Sequence, residues 1–167
     1  MAQSEDLEKI AVEERELQLP RLDAQVAWDL GSRIRTMALE RGLTLVIDVR
    51  RFGQPLFYAA LDGTTPDNAE WVRRKSNVVA RFHRSSYAVG MTLKMKGTTL
   101  LERYGLPVAD YAADGGSFPL AVKGAGVIGS VTVSGLPQRD DHNLVVEALC
   151  AMLRLDFAEL RLEPEST

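Results

Sequence analysis

Arg73, Asn77, Arg81 and Arg84 recur at spacings of four, four and three, which on a helix aligns them along one face with Arg74 beside them. Guanidinium groups suit bidentate contact with a carboxylate or phosphate, so this face is a candidate anion-binding surface. The plainer reading is a solvated face with Glu70 paired to Arg74 at i,i+4. Ser130, Thr132 and Ser134 alternate with Val131 and Val133, which sets three hydroxyls on one side of a strand. Such a column either lines a ligand or packs under a helix as an ordinary β-compatible surface. Asp48 and Arg50 alternate in the same way on an earlier strand; they either close a pocket with the hydroxyls or form a cross-strand ion pair. Gly115-Gly116-Ser117 has the composition of an amide-lined anion nest, but it leads into a strand and matches neither a P-loop nor a dinucleotide fingerprint.

The metal-ligating residue types are sparse: two histidines and one cysteine, without the recurrent spacing a zinc site needs. His83, between Phe82 and Arg84 at a helix end, reads as a surface imidazole. His142 falls in the first turn of the last helix, where it hydrogen-bonds locally or caps that turn. Ser134 before Gly135, with Asp141 next to His142, raises Ser/His/Asp hydrolysis; no G-x-S-x-G elbow is present, and adjacency in sequence does not make a triad. Cys150 lies in an apolar helical stretch and reads as a buried, inert thiol. A single cysteine cannot form an internal disulfide, which agrees with a reducing compartment.

The elements that must position these residues follow from periodicity. A helix with a narrow apolar stripe spans about Glu5 to Glu16, and it either packs on its own domain or docks on another subunit. Leu17 to Leu22 alternates briefly as an edge strand, where Pro20 is tolerated. Asp23 caps a helix carrying Val26, Ala27, Leu30, Ile34, Met37 and Ala38 and ending at Gly42. Leu43 to Arg50 and Leu56 to Leu61 form a hairpin about Arg51-Phe52-Gly53. Thr65-Pro66 starts the arginine-bearing helix, whose other face holds Trp71, Val72, Lys75, Val78, Val79 and Phe82. The segment around Gly90 is a serine-capped helix or an extended stretch. Leu100 to Tyr104 is a short helix, and a helical piece follows at Val108 to Ala112. Phe118 to Lys123 and Val127 to Ser134 form a second hairpin across Gly124-Ala125-Gly126, and Asp140 or Asp141 caps a last helix with Leu144, Val145, Ala148, Leu149 and Met152 inward. Hairpins followed by helices indicate an α+β fold, a single domain with an antiparallel sheet flanked by helices, of profilin-like or PAS-like layering. The boundaries are an N-terminal helix over 1–16, the domain over 17–155 and a tail over 156–167.

At 167 residues the chain suits one domain. A net charge of −3 and a pI near 5.5 argue against a general nucleic-acid binder, and no apolar run approaches a membrane span. The polar, acidic start at Gln3, Ser4, Glu5 and Asp6 is unlike a secretory signal, so a cytoplasmic protein is expected.

The run GTTPDNAEWVRRKSNVVARFHRSSYAVG, together with YAADGGSFPLAVKGAGVIGSVTVSGLPQRDDH, resembles the haem-degrading-domain family, in its branch of small cytoplasmic proteins. The resemblance covers about Leu17 to Leu153. It implies an α+β, layered domain with a five-stranded antiparallel sheet flanked by helices, a homo-oligomer built from dimers, and haem or another planar anionic molecule as ligand. A haem site needs an axial ligand, for which His83 and His142 are the imidazoles on offer, and cations for the propionates, here Arg73, Arg74, Arg81 and Arg84. The expected pocket lies between the hydroxyls of Ser130, Thr132 and Ser134, with Asp48 nearby, and the arginine helix. A different class of function fits the same residues: a non-catalytic homo-oligomeric adaptor that binds a protein partner through its N-terminal helix or arginine face. Loss of ligand in Arg81→Ala or Arg84→Ala marks the first; loss of a partner on removal of residues before Leu17 marks the second.

Overall fold

In the computed structural model, which describes residues 2–165, Asp23 caps the helix that follows it: its carboxylate accepts the Val26 N–H at 2.8 Å. The elements run α1 Ala2–Glu16, β1 Gln18–Leu19, α2 Ala24–Glu40, β2 Val46–Arg51, β3 Gln54–Ala60, α3 Pro66–Phe82, α4 Ser86–Met95, α5 Leu100–Tyr104, β4 Ser117–Val122, β5 Gly126–Ser134, α6 Gln138–Leu153 and α7 Phe157–Leu160. Thr65 and Pro66 open α3 as expected, and the Asn68 side chain accepts the Thr65 N–H at 2.9 Å. The segment around Gly90 is helical, capped by the Ser85 hydroxyl on the Ala88 N–H. Glycine is required there because a Cβ would meet the Ala113 carbonyl oxygen.

The sheet order is β1-β4-β5-β2-β3. The two hairpins and the central β2–β5 pair are antiparallel, whereas β1 joins β4 in parallel through Gln18 and Leu19. The sheet is therefore mixed. β1 and β4 are separated by most of the chain, so no hairpin forces them antiparallel. One face, with Ile47, Val49, Phe118, Leu120, Val131 and Val133, packs on Leu30 and Ile34 of α2 and Val145 and Leu149 of α6 in the main core. The opposite face carries Asp48, Ser117, Ser130, Thr132 and Ser134 and lies under α3. Period-2 alternation thus sorts the strands into an apolar side and a polar side, and helices cover both.

α1 is seated on its own domain. Ile10 packs with Tyr87, Ala88, Met91 and Leu162, and Glu13 is fully buried one turn later. The stretch from residue 156, expected as a tail, folds back through α7 and buries Leu162, whose N–H and carbonyl are both bonded to the Asn143 side chain. Met1, Ser166 and Thr167, the ends of the expected N-terminal helix and tail, lie outside the described residues. Val108 to Ala112 forms a single turn closed on the Pro107 carbonyl instead of a helix. α6 begins at Gln138 behind Pro137, not at an aspartate cap. Asp141 instead sits inside the first turn and reaches back to accept the Leu136 N–H at 3.0 Å. Cys150 is buried in α6, and burial pushes its thiol up to about 11. Among the described residues no helix is long and apolar enough to cross a membrane.

Candidate functional site

The polar side of the sheet opens into a groove of about 260 Å³ where the C-terminal half of α3 leaves the ends of β2 and β5. Arg50, Ser76, Asn77, His83 and Ser130 supply its polar groups, and Phe52, Ala80 and Ile128 supply apolar wall. Arg50 and Ser130 are register partners across β2 and β5, which is why both reach the same spot. Behind them, the Asp48 carboxylate accepts the Arg50 Nε–H at 2.8 Å. The pair lies along one strand, two residues apart, rather than across strands. Asp48 is fully buried; burial raises its pKa and the Arg50 guanidinium pulls it back. Its second oxygen has no hydrogen-bond partner among the described residues. With Nε engaged from behind, the Arg50 guanidinium is held in one orientation, and no hydrogen bond among the described residues occupies its terminal nitrogens. His83 stands at the groove's rim, exposed, in a left-handed conformation (φ 56°) that ends α3.

The helix arginines go elsewhere. Arg73 bonds Glu70, Asp110 and the Ala109 carbonyl, and Arg74 bonds the Val108 carbonyl while stacking 4.6 Å over Trp71. Both stitch α3 to the 107–111 turn. The glutamate pairing is thus Glu70 with Arg73 at i,i+3. Arg81 lies over the ring of Phe82, 6.0 Å from its centre, and Arg84 pairs with Glu14 of α1 at 3.2 Å. None of the four lines the groove. The hydroxyl column is divided as well: Ser130 faces the groove, Thr132 is buried against the Ser117 hydroxyl at 2.8 Å, and Ser134 borders a second hollow at the other end of α3.

Lys75 occupies that second hollow. It lies on the apolar stripe of α3, yet its ammonium group donates to the Val133 carbonyl at 2.6 Å, the Gly115 carbonyl at 3.1 Å and Asp141 at 3.3 Å, all buried. The glycine pair read as an anion nest therefore presents a carbonyl to a cation, and a Cβ on Gly116 would strike the Lys75 nitrogen. Burial lowers the Lys75 pKa, with Asp141 opposing. Burial likewise raises Asp141 to about 6, while Lys75 and the Leu136 and Gly135 amides pull it down. The ammonium is fully engaged by three acceptors, which suits a structural tie better than a nucleophile.

His142 is sealed inside, between the rings of Tyr87 at 5.5 Å and Phe118 at 5.9 Å, with Nε2 2.7 Å from the Glu13 carboxylate. It is paired with α1, and Asp141 is paired with Lys75, so Ser134, Asp141 and His142 do not converge as a triad. Neither histidine belongs to a metal cluster: among the described residues no group of three or more His, Cys, Asp or Glu could hold an ion. Sequence reasoning missed Lys75, Glu13 and Glu14 as site-shaping residues. The available signal was charge at apolar-stripe spacing: Lys75 after Val72, and Glu13 and Glu14 after Ile10.

A sequence model described as "Haem degrading protein HbpS-like" matches residues 22–150. A UPF0303 protein of Burkholderia thailandensis is 64% identical over 157 residues, covering 94% of this chain and 95% of the relative. Among solved structures, the Ybr137w protein superposes with a TM-score of 0.82 at 29% identity, covering 89% of this chain and 88% of that one. The PduOC:Heme complex superposes with a TM-score of 0.67 at 14% identity over 78% of this chain and 94% of the other, a likeness of fold.

Proposed function

We propose that this chain, which belongs to the HbpS-like haem-degrading family, binds a planar anionic ligand in the groove between α3 and β5, with haem the first candidate. The observation that carries the proposal is Arg50: a guanidinium anchored from behind by buried Asp48, its free end directed where an exposed imidazole, a hydroxyl and apolar wall meet. Arg50 would take a carboxylate, His83 would offer its imidazole nitrogen to the iron, and Phe52, Ala80 and Ile128 would flank the ring. The donor set fits haem. The volume of about 260 Å³ is below the roughly 300–1,000 Å³ of pockets that enclose a ligand, so the groove would seat one edge of a macrocycle. When bound, haem would supply iron and oxygen chemistry; the protein's own part would be to hold, orient and partly shield the ring.

The reading gains support from the family description and from a fold shared with a protein solved with haem. A haemin titration followed in the Soret region tests it, with an unrelated acidic protein as control. Saturation with a shifted band is expected. Arg50→Ala should weaken binding about tenfold or more, the worth of a charge-assisted contact, and His83→Ala should abolish the shifted band. Arg81→Ala, whose side chain does not line the groove, should bind as the parent does. Unsaturable uptake matching the control, or equal binding by Arg50→Ala and His83→Ala, would remove haem from this groove.

A further inference from the structure

We infer that Glu14 of α1 is a positioning residue for His83, setting the imidazole at the groove through the turn between α3 and α4. The inference rests on the proposed function for its ligand, but its geometry stands alone. The chain passes from α3 to α4 through His83, Arg84 and Ser85, and His83 makes that reversal in the left-handed region (φ 56°), which a β-carbon disfavours. Such a backbone persists where its surroundings over-determine it. Within the turn, the His83 N–H bonds the Val79 carbonyl at 2.8 Å, and the Ser85 hydroxyl is committed forward to α4.

The hold from outside comes from one carboxylate. Glu14 accepts the Ser85 N–H at 2.7 Å with one oxygen and the Arg84 Nε–H at 3.2 Å with the other. Its side chain is 16% exposed, so the contact is largely screened from water. The residue before it sets the rotation of α1: Glu13 is fully buried against His142, while Ile10 packs on Tyr87, Ala88 and Met91. Two successive carboxylates thus divide the work, one anchoring α1 and the other gripping the turn that carries His83. Glu14 lies ahead of residues 22–150 that the family model matches, on a helix packed against that unit.

NMR of the free protein tests the positioning, and haemin titration of the same variants tests the reading beneath it. In Glu14→Ala the His83 Cα and imidazole resonances should move, and the Ser85 amide should exchange at least tenfold faster, while Val72 to Val79 of α3 stays protected. Glu14→Gln keeps an oxygen for the Ser85 N–H and loses the Arg84 ion pair; it should displace His83 partway, and it carries the test if the alanine variant fails to fold. His83 resonances that superpose on the parent's in the folded variants would overturn the inference. Haemin affinity should fall about tenfold in Glu14→Ala with an altered Soret band. Parent-like haemin binding by His83→Ala would overturn the ligand reading and leave Glu14's hold on His83 to the resonances.

Discussion

Asp141 shows how one residue links packing to pH. Its carboxyl is raised from an ordinary 3.8 to about 6, chiefly by burial, so between those values the native state keeps a proton that the unfolded chain releases. That contribution to stability is complete below about pH 4 and lost as pH rises through about 6. Asp48 is shifted in the same direction, also by burial. Urea midpoints measured between pH 4 and 7 should therefore show a component that falls with rising pH, and Asp141→Asn should flatten it. An unchanged slope in the variant would refute the assignment. At this scale the sequence was least informative. Lys75 was legible as part of the apolar stripe, but an ammonium can share that stripe only because the Val133 and Gly115 carbonyls and Asp141 come from distant segments. The arginine spacing was visible too; that Arg73 and Arg74 are consumed by the 107–111 turn was not, since no local rule sets that contact.

Elements were more legible, because caps and periodicity are local. Asp23 and Thr65 with Pro66 each mark the helix start read from them, and of the two readings around Gly90 the serine-capped helix is the one that forms. The start of α6 was misread, because Asp141 bonds backward to Leu136 from within the first turn. Gly31 illustrates what periodicity cannot show. It sits in the middle of α2, where alanine would normally favour the helix by about 1 kcal/mol, but its Cβ would enter the ring of Phe57 on β3. Phe57 is itself held edge-on by Trp28 at 5.5 Å. Gly31→Ala should destabilise by about 1–3 kcal/mol in urea unfolding, and combining it with Phe57→Leu should cost less than the sum of the two. A stabilising Gly31→Ala would mean that the ring moves aside freely.

For the whole molecule, alternation and hairpin spacing made an α+β sheet flanked by helices readable, and the family resemblance implied its five strands, as the fold shared with Ybr137w agrees. Alternation marked an edge strand at Leu17 to Leu22 but could not assign its length or its partner. Two residues carry no period, and their parallel pairing with β4 depends on where α1 and α2 leave the chain. The same limit applied to the groove: strand alternation put Arg50 and Ser130 on the polar side, but only the sheet order makes them neighbours. Cys150, fully inside α6 and the sole thiol of the chain, turns this architecture into a clock. Because the native thiol is both shielded and protonated, a maleimide in excess can attach only to molecules that have opened, one label per chain. The labelling rate, read by mass spectrometry, should fall on ligand binding and reach a plateau at high reagent equal to the opening rate. Labelling as fast as that of a free thiol would instead mean that α6 lifts from the sheet without global unfolding.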